Sequence, residues 1–153
     1  MFQRMGNDSA RGYFGVAVYR PKNSVNIGSL FRTAQLLGAS YLAVIGARYK
    51  RQPSDTYNAA YHMPLYQYDG WDDFRANIPL GTRIVAVELT PDAQMLDDYE
   101  HPKQAVYLLG AEDNGIPVAI LERCHDVVKL RGKRSMNVAV AGSIVLYSRG
   151  LCT

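Results

Sequence analysis

Three short stretches of this chain combine charged, amide and hydroxyl side chains with glycine in patterns suited to holding an anion or a polar ligand. In "PKNSVNIGSLFRT", residues 21–33, Arg32 offers a cationic fork matching a phosphate or a carboxylate, and it projects with Gly28 and Ser29 from the small, polar face of a helix. A solvated surface arginine is the plain alternative. Asn26 sits where a helix N-cap belongs, able to accept from the amide of Gly28 or Ser29. In "LLGAEDNGIP", residues 108–117, Gly110 ends an apolar run and would let a ligand approach the backbone, Glu112 and Asp113 place two carboxylates in the loop, and Asn114-Gly115 signals a turn. On its own this loop reads first as a plain turn with solvated acids. In "RGKRSMNVAVAGSIVLYSRG", residues 131–150, Ser135 can cap a helix, and Asn137 is an amide caught in an apolar run. Unpaired and buried, that amide would cost ~1–3 kcal/mol, so it requires a structural partner or a ligand.

Other chemistries find less support. No G-x-G-x-x-G follows a strand and no Walker-type phosphate loop is present, which argues against a nucleotide-dependent oxidoreductase. His62, His101 and His125 are scattered without metal-ligand spacing, so no metal is expected. Cys124 and Cys152 read as reduced thiols, and "CHD" at 124–126 leads into a strand, favouring a core position over a nucleophile. Residues 47–71 interleave Arg48, Lys50 and Arg51 with tyrosines and Trp71, a mixture that suits RNA as well as it suits a subunit interface or loop packing.

The elements that must position these residues alternate along the chain. Strands are expected at 14–19, 41–46, 82–89, 104–110 and 125–130. Helical segments are expected at 27–37, where Ile27, Leu30, Phe31, Ala34 and Leu37 follow the 3.6-residue period and Gly38 stops the helix, and at 70–78, 118–124 and 135–147. Nearly all-apolar strands between helices predict an α/β fold with a mostly parallel sheet covered on both faces. In such sheets ligands collect at the carboxyl ends of the strands, here the loops starting at Tyr19, Leu89, Leu109 and Leu130. Three of those four loops carry the stretches described above. The last helix is apolar around nearly its whole circumference and so is expected against a core or a partner chain, with Gly142 marking close packing.

With 153 residues, 48% of them hydrophobic and 20% charged, the chain fits one domain, 1–153. No stretch approaches the ~20 apolar residues of a membrane helix and the N-terminus lacks an apolar signal core, so a cytoplasmic location and no membrane partner are expected. The formal charge of +3 is compatible with an anionic partner such as RNA without identifying one.

Taken in order, P-x4-N-x-G-x3-R-T, L-G-x-E-x-x-G and S-M-N-x-A-x-A resemble the three motifs of the SpoU branch of the SPOUT RNA methyltransferases, over about residues 19–147. The resemblance implies a SPOUT-type α/β domain with a C-terminal deep trefoil knot, working as a homodimer and binding S-adenosylmethionine in a bent shape. It implies a catalytic set of Asn26, Arg32, Glu112, Ser135 and Asn137, and a cofactor lying against Leu89, Gly110, Val128, Leu130 and Met136. One position departs from the pattern, since Val128-Lys129 stands where family members often carry Ile-Pro. The implied reaction is 2′-O-methylation of RNA, with tRNA favoured over rRNA and residues 47–71 as a candidate contact. In it Arg32 serves either as base or as a phosphate or alkoxide contact. A catalytically silent RNA-binding homodimer would be expected to have lost these polar residues, and all five are present.

Overall fold

The structure, a computed structural model, describes residues 12–50 and 63–151. Strand β1 (Tyr13–Tyr19) leads into helix α1 (Ser24–Leu36), followed by β2 (Leu42–Ile45), β3 (Leu65–Tyr68), α2 (Trp71–Asn77) and β4 (Arg83–Val87). A short β5 (Gln94–Met95) runs into a 3-10 turn (Leu96–Asp98), then come β6 (Gln104–Leu109), α3 (Val118–Leu121), β7 (Asp126–Lys129) and α4 (Val138–Leu151). The seven strands form one sheet in the order β3-β2-β1-β6-β4-β7-β5, and every pairing is parallel.

The pleat sorts side chains into two cores. Phe14, Val16 and Val18 of β1 face the layer that holds Ile27, Leu30 and Phe31 of α1 and Val145 and Leu146 of α4. Ala17 faces the opposite layer, with Trp71 and Phe74 of α2 and Ile120 of α3. Helices on both faces explain why the central strands are apolar throughout. Where α1 and α4 cross, Gly142 has no room for a side chain, since a Cβ there would lie 2.5 Å from Leu30 Cδ1 and 2.9 Å from Leu109 Cδ1, both on buried residues. Gly142→Val is therefore expected to cost ~1–3 kcal/mol of stability, read as a lower urea midpoint.

Four departures from the sequence reading have physical causes. Strand β3 was not expected because Leu-Tyr-Gln-Tyr carries no apolar run; it pairs only with β2, at the sheet margin. Strand β5 is two residues whose extended state comes from pairing with β7. Asn23, not Asn26, caps α1, accepting from Val25 N at 2.9 Å. Helix α4 starts at Val138 and not at Ser135, because the Asn137 side chain accepts from Ala139 N at 2.9 Å and from Val140 N at 3.3 Å and so takes the cap position itself.

Strand order brings the carboxyl-end loops together. From β4 the chain passes β7 to reach β5, returns across both to β6, and crosses β4 again to β7. The loops leaving β4, β6 and β7 consequently open side by side. Arg20, at the carboxyl end of β1, has φ 47°, the one non-glycine residue with positive φ among the described residues. That left-handed backbone costs an arginine ~1–2 kcal/mol, and it is held by Arg20 N donating to Ile45 O at 2.7 Å.

At the opposite edge, buried Arg149 donates to Pro102 O at 2.6 Å, Lys103 O at 2.9 Å and Tyr107 Oη at 3.0 Å. With Tyr107 Oη accepting from Arg149, its own proton points to His101 Nδ1 at 2.7 Å, leaving Nε2–H to donate to Ser148 Oγ at 3.1 Å. Burial, then the Arg149 charge, lowers the His101 pKa from 6.5 to about 4. A depressed pKa on a base means that the unfolded chain takes up the proton first, so the stability His101 contributes is full above pH 6.5 and is lost as pH falls toward 4. Urea midpoints of the wild type are expected to fall between pH 7 and pH 4.5, and His101→Gln to fall by less over the same interval.

Candidate active site

An open cleft lies at the carboxyl edge between the loops that leave β4, β6 and β7. Val87, Leu109, Val138 and Ala141 make its floor apolar, while Glu88, Glu112, Arg131, Arg134 and Ser135 make its rim polar. Leu89, Gly110, Leu130 and Met136, which the resemblance implies as cofactor contacts, lie in its walls. Val128 does not. Its side chain is fully buried in the core, and only its carbonyl reaches the neighbouring loop, accepting from Glu88 N at 3.0 Å. At the same departure from the family pattern, Lys129 extends its ammonium to the carbonyls of Pro91 at 3.3 Å and Thr90 at 3.5 Å, tying β7 to the loop after β4.

The loop after β6 folds back on itself. Gly115 N donates to Ala111 O at 2.9 Å in an isolated bridge, and Gly115 takes φ 61°. The space beside Gly110 is filled by the backbone of Gly115 and Ile116, so the glycine serves the chain's own close approach and not, as expected, a ligand's. Glu88 braces this loop with both carboxylate oxygens, Oε1 accepting from Leu89 N and Oε2 from Ile116 N, each at 2.9 Å. The sequence reading passed over Glu88. The signal was there, an acid at the carboxyl end of an apolar strand, but nothing local reveals that its partner lies 28 residues away.

A relay of side chains joins the three motifs beside the cleft. Asn26 Nδ2 donates to Glu112 Oε1 at 2.7 Å, and Asn26 Oδ1 accepts from Asn137 Nδ2 at 2.9 Å. Asn137 Oδ1 is held in turn by the first amides of α4. Each amide thus has its donor and acceptor directions set by its neighbours, which orients Glu112 at the rim. A second tie, Lys22 Nζ to Asp113 Oδ2 at 2.9 Å, spans the same two loops through exposed side chains. The amide that looked misplaced in an apolar run is exposed, and its partner is the first motif. Ser135 lies exposed on the cleft rim. Arg32 is half-buried on α1, about 9 Å further along the helix axis than Asn26, and does not line the cleft.

Cys124 and His125 are held by local hydrogen bonds. Burial pushes the Cys124 thiol up to about 11, and its sulfur donates to Ile120 O at 3.3 Å, which leaves it little thiolate at neutral pH. His125 Nδ1 accepts from Ile84 N at 2.9 Å, a structural role at the start of β4. Residues 51–62 of the tyrosine-rich segment, with His62, and also Cys152, lie outside the described residues.

Comparison with known proteins addresses the same span. The model of the SpoU rRNA Methylase family matches residues 13–147. A protein of Archaeoglobus fulgidus described as an uncharacterized tRNA/rRNA methyltransferase is 27% identical over 80% of this chain, which spans 58% of that relative's length. The tRNA (cytidine(34)-2′-O)-methyltransferase of Ancylobacter novellus is 28% identical over 86% of this chain and 87% of its own length. A solved structure described as giving insight into 2-OH methylation of C/U34 on tRNA superposes with a TM-score of 0.82 at 25% identity, covering 93% of this chain and 97% of that one. The SpoU methyltransferase AviRb of Streptomyces viridochromogenes, in complex with the cofactor AdoMet, superposes with a TM-score of 0.77 at 25% identity, covering 91% of this chain and 60% of that one.

Proposed function

Because the chain belongs to the SpoU rRNA methylase family, we propose that it methylates a ribose 2′-hydroxyl of RNA, using S-adenosylmethionine, with tRNA as the substrate class. The observation that carries this reading is the Glu112–Asn26–Asn137 relay, which gathers three polar groups from distant parts of the chain beside a cleft walled by three carboxyl-end loops. The lining of the cleft suits the cofactor, an apolar floor for a base and a polar rim for an amino acid end. Leu89, Gly110, Leu130 and Met136 would hold the cofactor, with Val128 acting only through its backbone. S-adenosylmethionine, when bound, supplies an activated methyl group.

What remains for the protein is alignment and help with a proton. A guanidinium, planar and permanently charged, is a poor base, so Arg32 acts as a charged donor to the developing alkoxide or the adjoining phosphate. Glu112, oriented by the relay, and Ser135 and Asn137 position ribose and cofactor. The tRNA preference is supported by the Ancylobacter relative, which this chain matches over nearly its whole length. Incubation with methyl-labelled S-adenosylmethionine and total RNA, followed by nucleoside analysis, is expected to place 2′-O-methyl label in the tRNA fraction. Label in rRNA alone would overturn the substrate, and no label in either would overturn the activity.

The same reading proposes a homodimer in the cytoplasm and a knotted C-terminal part. The repeated crossing of β4 supports the knot. The dimer is supported by α4, where Val140, Ile144, Tyr147 and Leu151 lie exposed at intervals of three and four residues beside exposed Leu36 of α1. Ile144→Glu is expected to convert the dimer to a monomer in light scattering, without loss of secondary structure.

A further inference from the structure

Exposed Arg20 holds a left-handed backbone that glycine or asparagine would adopt at little cost. Conformations of this kind persist where the surroundings over-determine them, and they concentrate where ligands are held. Three contacts set this one. Its amide donates to Ile45 O, its guanidinium carbon lies 5.4 Å from the centre of the Tyr19 ring, and its side-chain stem runs past Gly46, where a Cβ would come 3.0 Å from Arg20 Cγ. The strain directs the guanidinium along the carboxyl edge of the sheet.

That edge carries more positive charge. Gly46 is continuous with a groove lined by Arg48, Tyr49, Lys50, Gln67 and Tyr68, with Asp69 as the one acid in its lining. Arg20, Arg48 and Lys50 are exposed. The groove sits at the carboxyl ends of β2 and β3, on the same edge as the cleft. From β2 to β4 is three inter-strand steps, about 14 Å. Within it, the segment from Arg20 to Asn26 leads from the end of β1, beside the groove, to the relay at the loop after β6.

We propose that Arg20, together with Arg48 and Lys50, forms a phosphate-holding site for the RNA strand flanking the methylated nucleotide, and that the left-handed backbone at Arg20 aims its guanidinium at that strand. This rests on the RNA methyltransferase reading. The site contacts phosphates and would hold the strand without reading its sequence.

The test uses Arg20→Gly and Arg20→Asn, both of which accept the left-handed backbone, with Lys103→Ala as a cation removed from the opposite edge. Binding of labelled total tRNA is followed by fluorescence anisotropy at several salt concentrations. The Arg20 variants are expected to bind about 5–10-fold more weakly, with a salt slope smaller by about one, while Lys103→Ala matches the wild type. S-adenosylmethionine affinity should be unchanged, and Arg20→Gly should raise the urea midpoint, whereas a merely structural arginine would lower it. Wild-type tRNA affinity and salt slope in Arg20→Gly would overturn this site while leaving the methyltransferase reading intact. Absence of tRNA binding and of methyl transfer in the wild type would overturn both.

Discussion

Arg32→Ala is expected to lower methyl transfer by at least about 10²-fold while leaving S-adenosylmethionine affinity within about twofold of wild type. The separation of the two effects follows from geometry. Arg32 stands on α1, outside the cleft whose walls would hold the cofactor, so its removal takes nothing from that surface. It shares its helix with Asn26, whose side chain ends on Glu112, and in the proposed mechanism it acts on the substrate and not on the cofactor. A donor aimed at charge that develops only during transfer contributes to the transition state and not to cofactor binding. Arg32→Lys keeps the charge but loses the planar fork, and an intermediate rate is expected. Single-turnover transfer with labelled cofactor, alongside calorimetric titration of the same cofactor, separates the two quantities. Wild-type transfer in Arg32→Ala would remove Arg32 from the mechanism; an equal loss of cofactor binding would make it part of the cofactor site.

Gly110→Ala is expected to produce the converse result, a loss of S-adenosylmethionine affinity of about 10²-fold or more with the sheet intact. A methyl group on Gly110 would overlap the backbone of Gly115 and come 2.7 Å from Ile116 N. Neither atom can yield by rotating a side chain. Ile116 N is bound to Glu88 Oε2, and Gly115 N to Ala111 O, so the loop from 110 to 116 must swing as a unit. Glu112 swings with it and draws on Asn26 and Asn137, which disorders the relay as well as the wall. Displacements of about 1 Å at such positions are enough to cost 10²-fold. Calorimetry against S-adenosylmethionine reads the loss, and circular dichroism together with a urea midpoint reads the integrity of the sheet. Full affinity in Gly110→Ala would show that the loop tolerates the methyl group, contrary to the contacts that surround it.

Local pattern reached far into this protein because its central strands are covered on both faces. Apolar runs at β1, β2, β4 and β6 leave no other environment for those residues, and the 3.6-residue period of α1 puts Ile27, Leu30 and Phe31 on one face whatever packs against it. Strand β3, by contrast, lies at the margin and needs no apolar run, and β5 exists only through its partner. The candidate site divides in the same way. Asn137 was recognisable as an amide without a local reason, and ordered motifs tied it to Glu112, Asn26 and Arg32.

Residue types, their order and the family they point to were determined by the sequence alone, because those depend on which side chains occur and at what spacing. Only the tertiary structure decided who bonds to whom. Asn23 and Asn26 are equally good caps by composition, and Ser135 and Asn137 likewise; in the fold Asn23 and Asn137 cap, while Asn26 bonds Glu112, 86 residues away. Likewise the bracing carboxylate of Glu88, the closed space at Gly110 and the strain at Arg20 arise from contacts between loops that meet only when β4, β6 and β7 align. A hydrogen bond between distant segments leaves no periodicity in the chain, so no reading of spacing could have found it.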